Sequence, residues 1–268
     1  MSTNSGEISL NPEGAYDLIA GQYDDFTAHH DYESWLDSLL PALEVHGLNG
    51  DRLLDAGCGT GKSSLPMLSR GWRVTACDNS REMLKRLRAK AGDRIRIESA
   101  DLRQMPVLGR FDLILCLGDV LNYCAVETPL ATTLRGLAAN LAPRGLLLFD
   151  LNTIATYRTF YAEVQEVEIG GRMVTWRGLG DGTAEAGEVA EAVMEIAAPD
   201  GETTARSVHR QRHLGVDEVK GAMAEAGLRC LAVFGQGFDG VLQQPLEEER
   251  HTKTIYIAEA RNHKEKRR

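Results

Sequence analysis

The chain has 268 residues, 43% hydrophobic and 26% charged, with a formal net charge of −9 at pH 7. This composition excludes general disorder and a collagen-like repeat, and the acidic balance argues against a protein that tracks nucleic-acid phosphates. Five cysteines (Cys58, Cys77, Cys116, Cys124 and Cys230) are too few for a disulfide scaffold, and none are spaced as a zinc pair. No apolar run approaches the ~18 residues of a membrane helix, and the start of the chain lacks a signal core, so the sequence reads as soluble and cytoplasmic.

Residues 1–10, polar and aperiodic, are expected to be disordered. Residues 15–43 carry a helical period through Leu18, Ile19, Tyr23, Trp35, Leu36, Leu39 and Leu43, which predicts two helices separated near 28–31. They would form an N-terminal cap over 1–47. After Gly50, short apolar runs at 52–55, 73–78, 95–99, 111–117 and 145–150 alternate with helical segments at 61–70, 81–91 and 128–141. That alternation predicts a parallel sheet covered on both faces. Between 163 and 214 the period switches to that of strands, with turns at Gly170-Gly171 and Asp200-Gly201. An antiparallel sheet is therefore expected as an insertion over 153–214, with the α/β domain spanning 48–152 and 215–260. The basic residues at the end (261–268) read as a solvated tail.

The segment from Leu53 to Lys62 runs from a strand into a loop with Gly57, Gly59 and Gly61 at alternate positions, then into a helix. Glycine removes Cβ and permits φ > 0, so a ligand can approach the backbone. The spacing fails the phosphate loop GxxxxGK[ST], because Gly61 before Lys62 comes one residue early, and fails the dinucleotide GxGxxG, because Lys62 stands where its third glycine belongs. What fits is DxGxGxG, in which Asp55 would attract a cationic ligand that lacks phosphates. Asp78 ends the second strand about 20 residues beyond the loop, where a carboxylate can accept both ribose hydroxyls. Asn79 and Ser80 follow, with Ser80 as the helix N-cap and Met83 placed to lie on an adenine ring. Asp101 is placed to accept from an adenine amino group, and Leu102 to cover the ring's other face. These acidic strand ends share the carboxyl edge of one sheet, where open α/β sheets bind ligands.

In order, these motifs resemble those of class I S-adenosylmethionine-dependent methyltransferases over residues 51–152. The resemblance implies a Rossmann-like seven-stranded sheet whose last strand, at 252–260, is antiparallel, with S-adenosyl-L-methionine as donor and S-adenosyl-L-homocysteine as product. Leu117 completes the donor set it implies. Residues 16–24 are similar to the N-terminal helix of small-molecule methyltransferases, in which Tyr16 and Tyr23 would close over the donor. The insertion and the 116–123 segment resemble the glycine N-methyltransferase and amino-sugar N-methyltransferase groups. One departure stands out: several of those carry His where this chain has Tyr123.

The expected catalytic residues are Tyr23, near the transferring methyl, and Tyr123. Asp119, Asn122 and Tyr123 are expected to face the acceptor, with Asp119 anchoring a cationic amine. His29, at the mouth, and Trp176, on the insertion, complete the expected substrate set, while His209 and His213 are expected to serve surface or sheet packing. No metal is expected. The acceptor is read as a small-molecule amine, with a phenol or alcohol oxygen as the alternative. A nicotinamide-dependent oxidoreductase and a non-catalytic donor-binding protein are the readings outside this class. The inserted sheet would either roof the acceptor pocket or form a homodimer contact; neither nucleic acid nor membrane is expected as a partner.

Overall fold

The computed structural model describes residues 7–9 and 12–261; all of the basic tail but Arg261 lies outside the described residues. In chain order the elements are β1 (Glu7–Ser9), α1 (Pro12–Ile19), α2 (Tyr23–Phe26), α3 (Tyr32–Val45), β2 (Arg52–Ala56), α4 (Ser64–Ser69), β3 (Arg73–Asp78), α5 (Arg81–Ala91), β4 (Arg96–Ser99) and β5 (Phe111–Cys116). They continue as α6 (Val120–Glu127), α7 (Leu130–Ala138), β6 (Leu141–Asn152), α8 (Ile154–Thr159), β7 (Val164–Ile169), β8 (Arg172–Gly178), β9 (Val189–Ala197) and β10 (Thr203–Arg212). The chain closes with α9 (Val216–Glu225), β11 (Leu228–Gln236), β12 (Leu242–Gln243) and β13 (Lys253–Ala260).

The main sheet has the order β12-β11-β13-β6-β5-β2-β3-β4. Strands β4, β3, β2, β5 and β6 are mutually parallel, and β13 enters antiparallel between β6 and β11. Successive residues of a strand point to opposite faces, and here both faces are apolar. Leu54, Ile114, Leu147 and Phe149 pack with α6, α7 and α9 on one side. Leu53, Leu113, Leu115 and Leu148 pack with α3, α4 and α5 on the other. The chain runs outward from β2 to β3 and β4, then returns across β2 to β5, which creates a topological switch point at the carboxyl ends of β2 and β5.

A second sheet, β1-β10-β9-β8-β7, pairs antiparallel from β10 to β7. Its inner face joins α1 and α8 in a third apolar cluster containing Ile19, Met83, Tyr157, Trp176 and Met194. Gly170 and Gly171 both have positive φ, which two-residue hairpin turns require.

Several local expectations change. Glu7–Ser9 is not disordered; it adds to β10 as a parallel strand. The cap has three helices, because Gly21 and Gln22 divide the first predicted helix. The main sheet has eight strands, the addition being the two-residue edge strand β12. The stretch after β5 turns at Gly118 and Asp119, both at positive φ, and then forms α6, which local propensity did not suggest. Among the described residues no helix is long and apolar enough to cross a membrane, and all five cysteines are free.

Candidate active site

A cleft of about 920 Å³, counted out to its mouth, opens at the switch point. This is within the usual range for small-molecule sites. Of the expected site residues, Tyr16, Tyr23, Gly57, Gly59, Asp78, Asn79, Met83, Asp101, Leu102, Leu117 and Tyr123 line it.

One wall is the glycine turn. Gly57, Gly59 and Gly61 all have positive φ (75°, 51° and 89°). A Cβ on Gly57 would meet Val120 at 2.8 Å, and one on Gly61 would meet Leu87 at 2.4 Å, whereas Gly59 has nothing within 4 Å. The N–H groups of Gly57 and Cys58 both donate to Cys77 O, which ties the turn to β3. Asp55 lies behind the loop, not in the cleft: it is buried and accepts from the Ser63 and Ser64 hydroxyls. Burial raises its pKa to about 6, against the pull of those two donors. Its observed work is to fold the loop and start α4.

Asp78 accepts from Gly59 N at 2.8 Å and Ser80 N at 2.9 Å. Burial raises its pKa, and these backbone donors oppose the shift. Each oxygen keeps a further lone pair for a ligand hydroxyl. Ser80 is the N-cap of α5, accepting from Met83 N, and its hydroxyl donates to Asp17 of α1 at 2.6 Å. Asp101 is held by Arg103, a cleft residue that the sequence did not single out. Burial disfavours the charge of Asp101, yet Arg103 outweighs it and holds the pKa down.

The cap closes the cleft with Tyr16, Tyr23 and Tyr32. Thr60 of the glycine turn donates to Asp24, which also pairs with Lys90. Lys62 donates to Thr27 O and sits 5.2 Å from the Tyr32 ring centroid.

Behind Gly118 and Tyr123, at the opposite end, lies a network built largely of side chains. Lys253 of β13 is 2.8 Å from both Asp119 and Asp150. Burial alone would discharge it, but the two carboxylates together keep its pKa raised. Asp150 is fully buried and accepts the N–H groups of Gly118 and Asp119. Gln211 of β10 donates to Asp119. Tyr123 Oη lies 3.0 Å from His209 Nδ1, and Ser207 Oγ lies 3.0 Å from His209 Nε2.

Of the expected substrate residues only Tyr123 lines the cleft: Asp119 is behind it, paired with Lys253 and Gln211, and three others are placed elsewhere. Asn122 is fully buried: its amide donates to Arg212 O, and its carbonyl oxygen accepts from Asn152 N, so both ends are spent joining α6 to β10 and β6. Trp176 is in the core of the second sheet, its Nε1 donating to Phe160 O. His29 is exposed and packs on His30. Conversely His209, expected to serve packing, adjoins the cleft through Tyr123. Among the described residues no group of three or more His, Cys, Asp or Glu is placed to hold a metal ion.

Residues 53–145 match the family model described as a methyltransferase domain. A putative methyltransferase of Bacillus subtilis, YqeM, is 31% identical over 141 residues, covering 52% of this chain; the chain spans only 56% of that relative's length. The cypemycin N-terminal methyltransferase of a Streptomyces species is 28% identical over 226 residues, covering 82% of this chain and 86% of the relative. Among solved structures, an S-adenosylmethionine-dependent methyltransferase from Clostridium acetobutylicum superposes with a TM-score of 0.74 at 20% identity, covering 92% of this chain and 99% of the other. The sugar N-methyltransferase KedS8 from a Streptoalloteichus species gives 0.71 at 20% identity, covering 98% of both. Residues 53–145 thus carry a methyltransferase domain, and the chain has the fold of S-adenosylmethionine-dependent methyltransferases. The cleft fits that donor: an open approach at Gly59, a half-buried carboxylate at Asp78, and apolar Met83, Leu102 and Leu117 for the base.

Proposed function

We propose that this chain transfers a methyl group from S-adenosylmethionine to an amine nitrogen of a small acceptor. The observation that carries this reading is the pair of carboxyl groups near Tyr123: Asp119 and Asp150 share one ammonium, Lys253, with burial raising the pKa of Asp150. An amine that arrives as a cation is drawn toward such carboxyl groups and gives its proton to water before its lone pair meets the methyl. The names of the similar proteins point the same way, since KedS8 is a sugar N-methyltransferase and the cypemycin enzyme an N-terminal methyltransferase.

In this reading Asp78 takes the ribose hydroxyls, Asp101 and Leu102 the adenine, and the glycine turn the amino-acid part of the donor. The sulfonium supplies an already activated methyl, so the protein's tasks are alignment and exclusion of water. Tyr23, whose ionisation burial opposes, stays a neutral hydroxyl beside the reacting centre. The second sheet roofs the acceptor chamber, and the cap of 1–47 closes over the donor.

The test is incubation with methyl-labelled donor and a panel comprising glycine, a peptide with a free N-terminus, an amino sugar and a phenol. Label on an amine nitrogen supports the reading. Label only on the phenol, or on none of the panel while donor binds, rejects it.

A further inference from the structure

The two side-chain rows of β10 differ in an unusual way. Ser207, His209 and Gln211 alternate along the strand and are buried, while Arg206, Arg210 and Arg212 alternate with them and pair with surface glutamates. The buried run Ser207, His209 and Gln211, which follows the apolar Ala205 on the same row, calls for partners on the elements it faces, because a buried polar group without one is costly. Gln211 finds Asp119 and Asn152; His209 finds Tyr123.

We propose that His209 is a positioning residue that fixes the Tyr123 hydroxyl as a hydrogen-bond acceptor toward the acceptor chamber. His209 Nδ1 is 3.0 Å from Tyr123 Oη, and Nε2 is 3.0 Å from Ser207 Oγ, so the ring is held at both nitrogens. A phenol is a stronger proton donor than an alcohol, so the favoured arrangement has Tyr123 donating to Nδ1 and Nε2–H donating to Ser207. With its proton committed to the imidazole, Tyr123 can offer only oxygen lone pairs, toward which the Tyr16 hydroxyl and the Gln211 amide also point, and an acceptor N–H would take the place of one of these donors. Those lone pairs accept an N–H of the acceptor and turn the nitrogen's own lone pair toward the methyl group. An acceptor lacking N–H has nothing to give them, so the device selects primary and secondary amines over tertiary ones. It rests on the amine reading above.

The groups facing the imidazole are Tyr16 from α1, Asp119 and Tyr123 from the α6 end, Trp176 from β8 and Ser207 from β10. Ala192 lies opposite on β9. Burial lowers the His209 pKa to about 4 while Asp119 opposes the shift, so the ring stays neutral and keeps a lone pair at Nδ1.

The experiment combines ¹⁵N NMR of the histidine rings at about pH 7.5 with kinetics of the wild type, His209→Leu, His209→Gln, Tyr123→Phe and the double variant. The acceptor is the amine of the panel that the wild type methylates fastest. Expected are an unprotonated Nδ1 and protonated Nε2 on His209, and roughly a tenfold loss in kcat/KM for His209→Leu, the scale of one hydrogen bond. Donor affinity by calorimetry should be unchanged, and His209→Gln, which retains an acceptor oxygen, should recover most of the loss. In the Tyr123→Phe background, His209→Leu should cost less than about twofold. A proton on Nδ1, or a full tenfold cost in that background, overturns the proposal. If the wild type methylates no amine, the amine reading falls and the tautomer alone decides the direction of the Tyr123 bond. If His209→Leu fails to fold, the tautomer and the kinetics of His209→Gln decide the matter: an unprotonated Nδ1 with near wild-type kcat/KM supports the proposal, and a protonated Nδ1 overturns it.

Discussion

The two ends of the cleft are built by different means. The donor end takes nearly all its groups from one stretch, Gly57 to Leu102, and its polar contacts run largely through backbone N–H groups at strand ends. The end proposed for the acceptor draws on Asp119, Asp150, His209, Gln211 and Lys253, which are far apart in the chain, and its contacts are mostly between side chains. Backbone geometry tolerates sequence change; a side-chain network does not. A common donor and divergent acceptors are what such a division permits.

The contrast breaks most readily at Lys253. Lys253→Met leaves Asp150 buried beside Asp119 without its cation and should cost about 3–5 kcal/mol of stability, read by denaturant unfolding. A loss no larger than that of a surface change would show that the acceptor end is not held by its charges. Acid titration sharpens the comparison next. His209 has its pKa lowered from 6.5 to about 4, so its contribution is fully present above pH 6.5 and is lost as pH falls through 4. Asp55, raised from 3.8 to about 6, acts in the opposite sense: its contribution is present below pH 3.8 and lost as pH rises through 6. His209→Gln should therefore flatten the acid limb of the stability profile by on the order of 3 kcal/mol, visible as a smaller drop in Tm between about pH 7 and 4. An unchanged acid limb would remove His209 from the buried groups that matter.

At the donor end, Asp78→Ala should weaken binding of S-adenosylmethionine by about 1–3 kcal/mol in calorimetry while leaving unfolding nearly unaltered. A matching loss of stability would mean that Asp78 serves the loop more than the ligand. The smallest effect is expected from Asp24→Ala. Its clip to Thr60 and Lys90 is substantially exposed, so donor affinity should fall by only about 0.2–1 kcal/mol.

The same division explains what could be read beforehand. The parallel sheet was legible because Leu53-Leu54 and Leu113–Cys116 are apolar on both faces, and the donor end because glycines and strand-end acids recur at short, fixed spacings. Asn122 misled because a polar residue just past a strand end looks like a ligand contact, whereas burial turned its amide into a tie between elements. Trp176 misled in the same direction: its indole packs inside the second sheet. In the sequence His209 reads as packing and Lys253 is not singled out, because neither has a local signal; only the packing of β10 over α6, and the pairing of β13 beside β6, brings them to Tyr123 and Asp119. β10 also defeats the usual alternation test, since polar residues dominate both of its rows.

The three residues of β1 have a practical bearing on handling the molecule. By pairing alongside β10 they cover what would otherwise be the outer margin of the second sheet. Trimming the chain to begin at residue 10 would bare a row of amide and carbonyl groups suited to recruiting foreign strands. Such a shortened protein should be more prone to self-association, with the first disturbance felt along the very strand that bears His209.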